Sequence, residues 1–246
     1  MSPVVLWRRL LAELIGTGLL VCAVVGSGVM ATRLSPDDVG LQLLENSTAT
    51  ALGLGALILT FGPVSGAHFN PVVSAADWFL GRRTGTGLSG RELASYTVAQ
   101  VLGAIGGSVL ANLMFALPAV DWSGEDRSAG HLWLGEVVAT AGLILLIFAL
   151  ARSGRAPVAP AAVGAYSGAA YWFTSSTSFA NPAVTIGRAF TDTFAGIAPS
   201  SVPGFVLAQF AGLVLAAGLL LVLYPRVGEA ADHVVVDHDR ASVTDR

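Results

Sequence analysis

The sequence predicts an all-α membrane protein of six transmembrane helices and two re-entrant half-helices, arranged as an inverted repeat. Hydrophobic residues make up 54% of the 246-residue chain and charged residues only 12%, with a mean hydropathy of +0.70. An ordinary soluble domain carries about a quarter charged residues. The apolar residues gather into six runs of membrane-crossing length. An Asn-Pro pair then interrupts the chain twice, in "AHFNPVVSAADWF" and in "SFANPAVTIGRAF", where proline would break a continuing helix.

The runs occupy 7–31, 43–62, 95–117, 132–151, 157–175 and 203–224, each close to the ~20 residues that cross ~30 Å of hydrocarbon. The first, within "WRRLLAELIGTGLLVCAVVGSGVMA", has the basic flank of an export signal. It is too long for one and contains Glu13, so it is read as a retained span. With the N-terminus inside, Arg8, Arg9, Arg82, Arg83, Arg91, Arg152, Arg155 and Arg226 are cytoplasmic and Arg33, Arg127 and Arg188 lie outside. That is the sense of the positive-inside bias, and it makes both termini cytoplasmic.

Asparagine is a favoured N-cap and proline a favoured first helical residue. Asn70 to Phe79 and Asn181 to Phe190 therefore each read as a helix of about ten residues, ~15 Å long, half a bilayer. Either pair alone also fits a proline-initiated helix in an exposed loop. Entering from opposite faces through Ser65-Gly66-Ala67-His68 and Ser175-Ser176-Thr177-Ser178, the two would meet N-terminus to N-terminus. Paired positive helix ends with two asparagine amides attract solute oxygens and repel cations.

The halves repeat one another. Glu13 and Thr17 in "AELIGTGLL" match Glu136 and Thr140 in "GEVVATAGLIL", Asn70-Pro71 matches Asn181-Pro182, and "AQVLG" at Gln100 matches "AQFAG" at Gln209, at offsets of 123, 111 and 109 residues. Three spans per half, at about 7–117 and 132–224, force the second half to lie inverted. Residues 1–225 read as one channel domain and 226–246 as a polar cytoplasmic tail. Glu13 and Glu136 sit inside their spans, where a carboxylate costs roughly 2.5–3.5 kcal/mol on insertion scales. Each needs an internal partner, and free backbone N–H groups of the re-entrant loops would serve, making both acids loop anchors.

Other classes are poorly supported. A net charge of −3 with arginine as the only basic residue type argues against nucleic acid. Cys22 is the single cysteine, and His68, His131, His233 and His238 lack a metal-binding spacing, so no disulfide, metal or cofactor is expected. No nucleophile, base and orienting acid can be assembled, so no enzyme is expected. A secondary transporter also uses inverted repeats and stays as an alternative, but it needs coupling groups along its pathway. Gly103, Gly106, Gly107 and Gly212 with Ala216 read as close helix contacts.

"SGAHFNPVVS" with "FANPAVTIG", the two intramembrane glutamates and the paired "AQ..G" stretches resemble the aquaporin and aquaglyceroporin family over about residues 8–225. The resemblance implies a right-handed bundle, one pore per protomer and a homotetramer in the bilayer of a bacterial-type inner (plasma) membrane. It places the central constriction at Asn70, Pro71, Val72, Asn181, Pro182 and Ala183. The first box is Asn-Pro-Val, so Val72 adds bulk there. Where the family typically has an arginine after the second box, this chain has Val184.

By the family's spacing the outer selectivity filter is Thr50, Ala169, Ser178 and Val184, with no aromatic ring and no charge, which implies a wider, more apolar opening. The stretch "YWFTSSTSFANPAVTIGRAFTDTFAGI" looks like bacterial aquaglyceroporins associated with arsenic resistance. The implied cargo is small neutral solutes: arsenite as arsenous acid and related metalloid acids, with glycerol and some water. A channel mainly for water and glycerol is the alternative. Arg188, one turn beyond Val184, either borders the outer vestibule, or snorkels to water or pairs with Asp192. His68 either edges the cytoplasmic vestibule or packs to fix the re-entrant loop.

Overall fold

A computed structural model describes residues 4–82 and 85–224; the expected tail at 226–246, with His233 and His238, and also Arg83 and Arg226 lie outside the described residues. The helices run α1 (Leu6–Leu34), α2 (Val39–Ser65), α3 (Pro71–Gly81), α4 (Gly90–Met114), α5 (Gly130–Arg152), α6 (Ala159–Phe173), α7 (Pro182–Arg188) and α8 (Val202–Leu223). Five of them, α1, α2, α4, α5 and α8, are long and apolar enough to cross a membrane. The expected fifth span is α6, 15 residues long and extended at its start by a 3-10 turn over Ala156–Val158.

Caps explain the boundaries that hydropathy alone misplaced. Helix α2 starts at Val39 because the Asp38 carboxylate accepts from Leu41 N at 2.9 Å. Helix α4 starts at Gly90 because Ser89 and Glu92 close a reciprocal capping box, which satisfies two orphan N–H groups. Polar residues thus join helices whose apolar runs begin several residues later. Helix α7 spans only seven residues, about 10 Å, rather than the expected ten. Its chain turns away after Arg188, where Phe190 O accepts from Asn112 Nδ2 and Asp121 N.

Each half is a three-helix unit, α1 against α2 and α4, then α5 against α6 and α8, with the half-helices α3 and α7 wedged between them. Glycine permits the tightest of these approaches. A Cβ at Gly103 would stand 2.2 Å from the Leu14 carbonyl oxygen and one at Gly107 2.1 Å from that of Gly18. In the second half a Cβ at Gly212 would meet the Val137 carbonyl at 2.7 Å, the repeat-related contact. Gly106 corrects the expectation for its group: nothing lies within 4 Å of a Cβ there, because it is exposed, turned about 80° around α4 from the face that Gly103 and Gly107 share.

The packing reverses the usual soluble pattern. Leu52, Leu59, Leu207, Val214 and Val222 are each more than 60% exposed on the outside, while Glu13, Gln100, Glu136 and Gln209 are fully buried. Lipid tails can cover the first set without cost, whereas the second must be satisfied from within.

A candidate pore between two buried carboxylates

Glu13 and Glu136 organise the centre in the same way. Glu13 accepts from Ser65 Oγ (2.6 Å), His68 N (3.0 Å), Phe69 N (2.7 Å) and Gln100 Nε2 (2.7 Å). Glu136 accepts from Ser176 Oγ (2.7 Å), Phe179 N (2.8 Å), Ala180 N (2.8 Å) and Gln209 Nε2 (2.6 Å). Every donor in the second set is the repeat partner of one in the first. Charge-assisted bonds of this kind are roughly twice as strong as neutral ones. They fasten both re-entrant loops to the bundle.

Backbone conformation turns those N–H groups toward the acids. Gly66, Ala67 and Phe69 have φ of 85°, 49° and 49°, and their partners Thr177, Ser178 and Ala180 have 60°, 52° and 47°. A left-handed non-glycine residue costs roughly 1–2 kcal/mol. Five such residues persist because the carboxylate bonds over-determine the loops. Gly16 completes the arrangement, since a Cβ there would stand 2.0 Å from the Phe69 ring.

The strained loops deliver the asparagines to one another. Asn70 Oδ1 caps α3 by accepting from Val72 N (3.0 Å), and Asn181 Oδ1 caps α7 by accepting from Ala183 N (3.0 Å) and Val184 N (3.2 Å). Asn70 Nδ2 donates to Ala180 O (2.8 Å), and Asn181 Nδ2 donates to Phe69 O (2.7 Å). Each amide has a second N–H, and both asparagines face one cavity.

That cavity draws its wall from both halves: Leu20, Val24 and Ile58 from the first, Leu143, Ile147 and Val163 from the second, with both re-entrant loops between. Thr50, Ser178, Val184, Asn70, Asn181, His68 and Arg188 all lie on it. Val73 and Val184, three residues after their respective asparagines, occupy repeat-related places on the wall. His68 lines the cavity, while its Nδ1 lies 3.0 Å from Ser74 Oγ and its ring packs 5.4 Å from that of Tyr96.

Four expected placements differ. Ala169 is exposed, and α6 turns Val163, Tyr166, Ser167 and Tyr171 to the cavity instead. Tyr171 lies about 200° around the helix from Ala169, so spacing along the chain did not give the facing. The wall is therefore not free of aromatic rings, since Tyr166, Tyr171 and Phe179 contribute to it. Pro71, Val72, Pro182 and Ala183 are buried in the packing behind the asparagines, Val72 at 0% exposure in the apolar core, so its extra methyl groups fill core rather than passage. Finally, Arg188 neither snorkels nor pairs with Asp192. It is 2% exposed, its Nε donates to Ala195 O and its guanidinium carbon sits 3.4 Å from the Phe179 ring centroid. The Asp192 carboxylate accepts from Gly124 N instead, at 3.0 Å.

Comparison with known proteins agrees with this architecture. Residues 1–178 match the family model described as "Major intrinsic protein". The chain is 52% identical over 215 residues to "Aquaglyceroporin AqpS" of Rhizobium meliloti (strain 1021), covering 87% of this chain and 89% of the relative. It is 31% identical over 261 residues to "Glycerol uptake facilitator protein" of Pseudomonas aeruginosa, covering 90% of each. Among solved structures, the aquaglyceroporin from Plasmodium falciparum superimposes with a TM-score of 0.67 at 20% identity, over 91% of this chain and 99% of that one. By sequence over most of its length, and by fold, the chain belongs to the major intrinsic protein family, whose members are membrane channels rather than enzymes.

Proposed function

We propose that the chain is a passive transmembrane channel for small neutral solutes, carrying glycerol and some water and, as its distinctive cargo, arsenite in the form of uncharged arsenous acid. The observation that carries this reading is the single cavity passing both asparagines, each with one amide N–H left for a solute oxygen. A neutral trihydroxy molecule suits such donors on an otherwise apolar wall. Val184 supports a cargo larger than water, because it leaves out the side chain that would close the passage next to the second box. The printed names of the relatives, an aquaglyceroporin and a glycerol uptake facilitator, point to the same solute class.

Passive flux follows from the state of the two deep acids. All four bonds that Glu13 and Glu136 each accept come from within the protein, three from the re-entrant segment and its flank and one from Gln100 or Gln209. Neither is left to couple a proton or cation to solute movement, which disfavours the transporter alternative. The arginine distribution supports cytoplasmic termini in a bacterial inner membrane, and we take the assembly to be a homotetramer.

The rings of Tyr171 and Phe179 on the wall favour a second reading, a narrower channel mainly for water and glycerol. Liposome fluxes of water, glycerol and arsenite through wild type and Val184→Arg separate the two. The arsenite reading expects arsenite entry above that of empty vesicles, and a loss of arsenite and glycerol entry relative to water in the variant. Undiminished entry through Val184→Arg would overturn the selectivity assigned to that position, and flux that saturates at low solute and needs an ion gradient would restore the transporter.

A further inference from the structure

Helices α1 and α4 run in the same direction, with Leu14 against Gly103 and Gly18 against Gly107. Toward their N-terminal ends they part into an open groove of about 610 Å³. Trp7, Leu11 and Leu14 form the α1 wall, and Ala94, Val98 and Leu102 the α4 wall. Spacings of three and four residues make each wall a single helix face. Ser95 also lines the groove but turns its hydroxyl to Arg91 O at 2.9 Å, which leaves the α4 wall apolar toward the outside. From Ala94 to Leu102 the groove follows α4 for about 12 Å, most of the ~15 Å of hydrocarbon in one leaflet.

Positive charge gathers at one end of this groove. The Arg8 guanidinium carbon lies 5.3 Å from the Trp7 ring centroid. Arg91 precedes Ala94 by three residues and Val98 by seven, on the α4 face that forms the wall. Both arginines are exposed, and neither has an ion-pair partner among the described residues. Glu92, the acid in the first turn of α4, is spent on Arg9 Nη1 at 2.7 Å and on Ser89 N at 2.8 Å. Trp7, 61% exposed, has the apolar ring and polar N–H of a residue at the membrane–water interface. Two uncompensated charges thus stand at headgroup level, over an apolar slot of leaflet depth.

We propose that the α1–α4 groove seats an anionic phospholipid of the leaflet nearest the N-terminus, with an acyl chain along Leu11, Leu14 and Val98 and the phosphate between Arg8 and Arg91. Charge complementarity selects this occupant. A soluble anion makes no use of the slot, and a lipid with no net charge brings its own cation to the two guanidiniums. The bound lipid also reaches the channel's frame. Arg9, next to Arg8, donates from Nε to Tyr96 Oη at 2.8 Å, and that hydroxyl donates to Ser65 O at 2.9 Å. A lipid that clamps α1 to α4 therefore steadies the first re-entrant segment from behind.

The test titrates full-length protein in detergent with phosphatidylglycerol or phosphatidylcholine of identical acyl chains, reading bound lipid by native mass spectrometry and stability by thermal unfolding. Wild type is expected to bind the first phosphatidylglycerol at least about five-fold more tightly than phosphatidylcholine, the scale of the attraction of one arginine to an anionic surface, and to melt higher with it. Arg8→Gln with Arg91→Gln is expected to abolish both the preference and the rise in melting. Ala94→Trp, which fills the slot, is expected to weaken both lipids several-fold. Arg155→Gln, an exposed arginine elsewhere, should leave the preference as in wild type.

Equal binding of the two lipids by wild type, or a preference that survives the double arginine variant, would overturn the proposal. A loss as large in Arg155→Gln would overturn it too, by showing that diffuse charge rather than this groove attracts the lipid. Should Ala94→Trp fail to fold, the arginine variants decide. A second copy of the chain is the other possible occupant: in vesicles, Val98→Cys in a Cys22→Ser background is expected to stay monomeric under oxidation on a denaturing gel, and efficient disulfide-linked dimers would make the groove a subunit contact and overturn the lipid seat.

Discussion

The side-chain amide of Asn181 donates a 2.7 Å hydrogen bond to the carbonyl oxygen of Phe69, the residue just before Asn70. The reciprocal bond runs from Asn70 to Ala180 O at 2.8 Å, so each half of the chain is held through the other's box. Asn181→Asp replaces the donor by a carboxylate facing a carbonyl oxygen. Losing this bond and stranding its buried acceptor costs about 1–3 kcal/mol. Lower thermal stability in detergent and a fall in both water and glycerol flux are expected; wild-type melting with wild-type flux would show that the cross-bond holds nothing.

The two carboxylate hubs predict matched losses. Glu13→Gln and Glu136→Gln each put an amide nitrogen where a buried oxygen now accepts two bonds, leaving buried donors unsatisfied at about 1–3 kcal/mol each. Because the partner sets are repeat-related bond for bond, the two variants should melt within about 1 kcal/mol of each other in stability. A large loss in one and none in the other, read by thermal unfolding of purified protein, would mean that the two loops are not held by equivalent forces.

Helix contacts supply a sharper contrast. Gly103→Ala and Gly107→Ala push a methyl group into backbone oxygens at 2.2 and 2.1 Å, which backbone cannot easily yield, so each should destabilise by about 1–3 kcal/mol. Gly106→Ala meets open space and should change stability by less than about 0.5 kcal/mol. The three alanines lie within five residues, so a detergent melting series distinguishes contact from general intolerance of α4.

Facing on α6 and α7 can be read with thiol chemistry. In a Cys22→Ser background, Val184→Cys should be blocked by a small water-soluble methanethiosulfonate, with glycerol flux falling by more than half, since Val184 lines the cavity. Ala169→Cys should keep its flux under the same treatment, because Ala169 is exposed on the outside of α6. Block at Ala169 alone would reverse the assignment of α6's inner face.

How much of this was legible depended on whether the relevant force acts along the chain or across it. Glu13 and Glu136 could be read because a charge inside an apolar run has a known cost, and the donors that meet it are the free N–H groups of the re-entrant segments. The half-helices could be read because Asn-Pro encodes a helix start locally. Ala67, Phe69, Thr177, Ser178 and Ala180 carry no such signal, since nothing in an alanine or phenylalanine favours positive φ; the carboxylates impose it from another helix. Tyr171 is not legible this way, because the family's spacing counts positions along the chain and does not carry the rotation of α6. Arg188 was ambiguous because its partners, Phe179 and Ala195, lie on opposite sides of it in sequence and meet only after the loop at 189–197 folds back.

The repeat-related bonding around Glu13 and Glu136 breaks down at the ends: His68 with Tyr96 and Arg9 at one, and Phe179 with Phe205, Arg127 and Arg188 at the other. A molecule at the midpoint therefore has no means of telling left from right, whichever compartment released it. Any rectification the protein displays must originate near its two rims, where the repeat-related positions differ in chemistry. The middle can only obey the concentration difference.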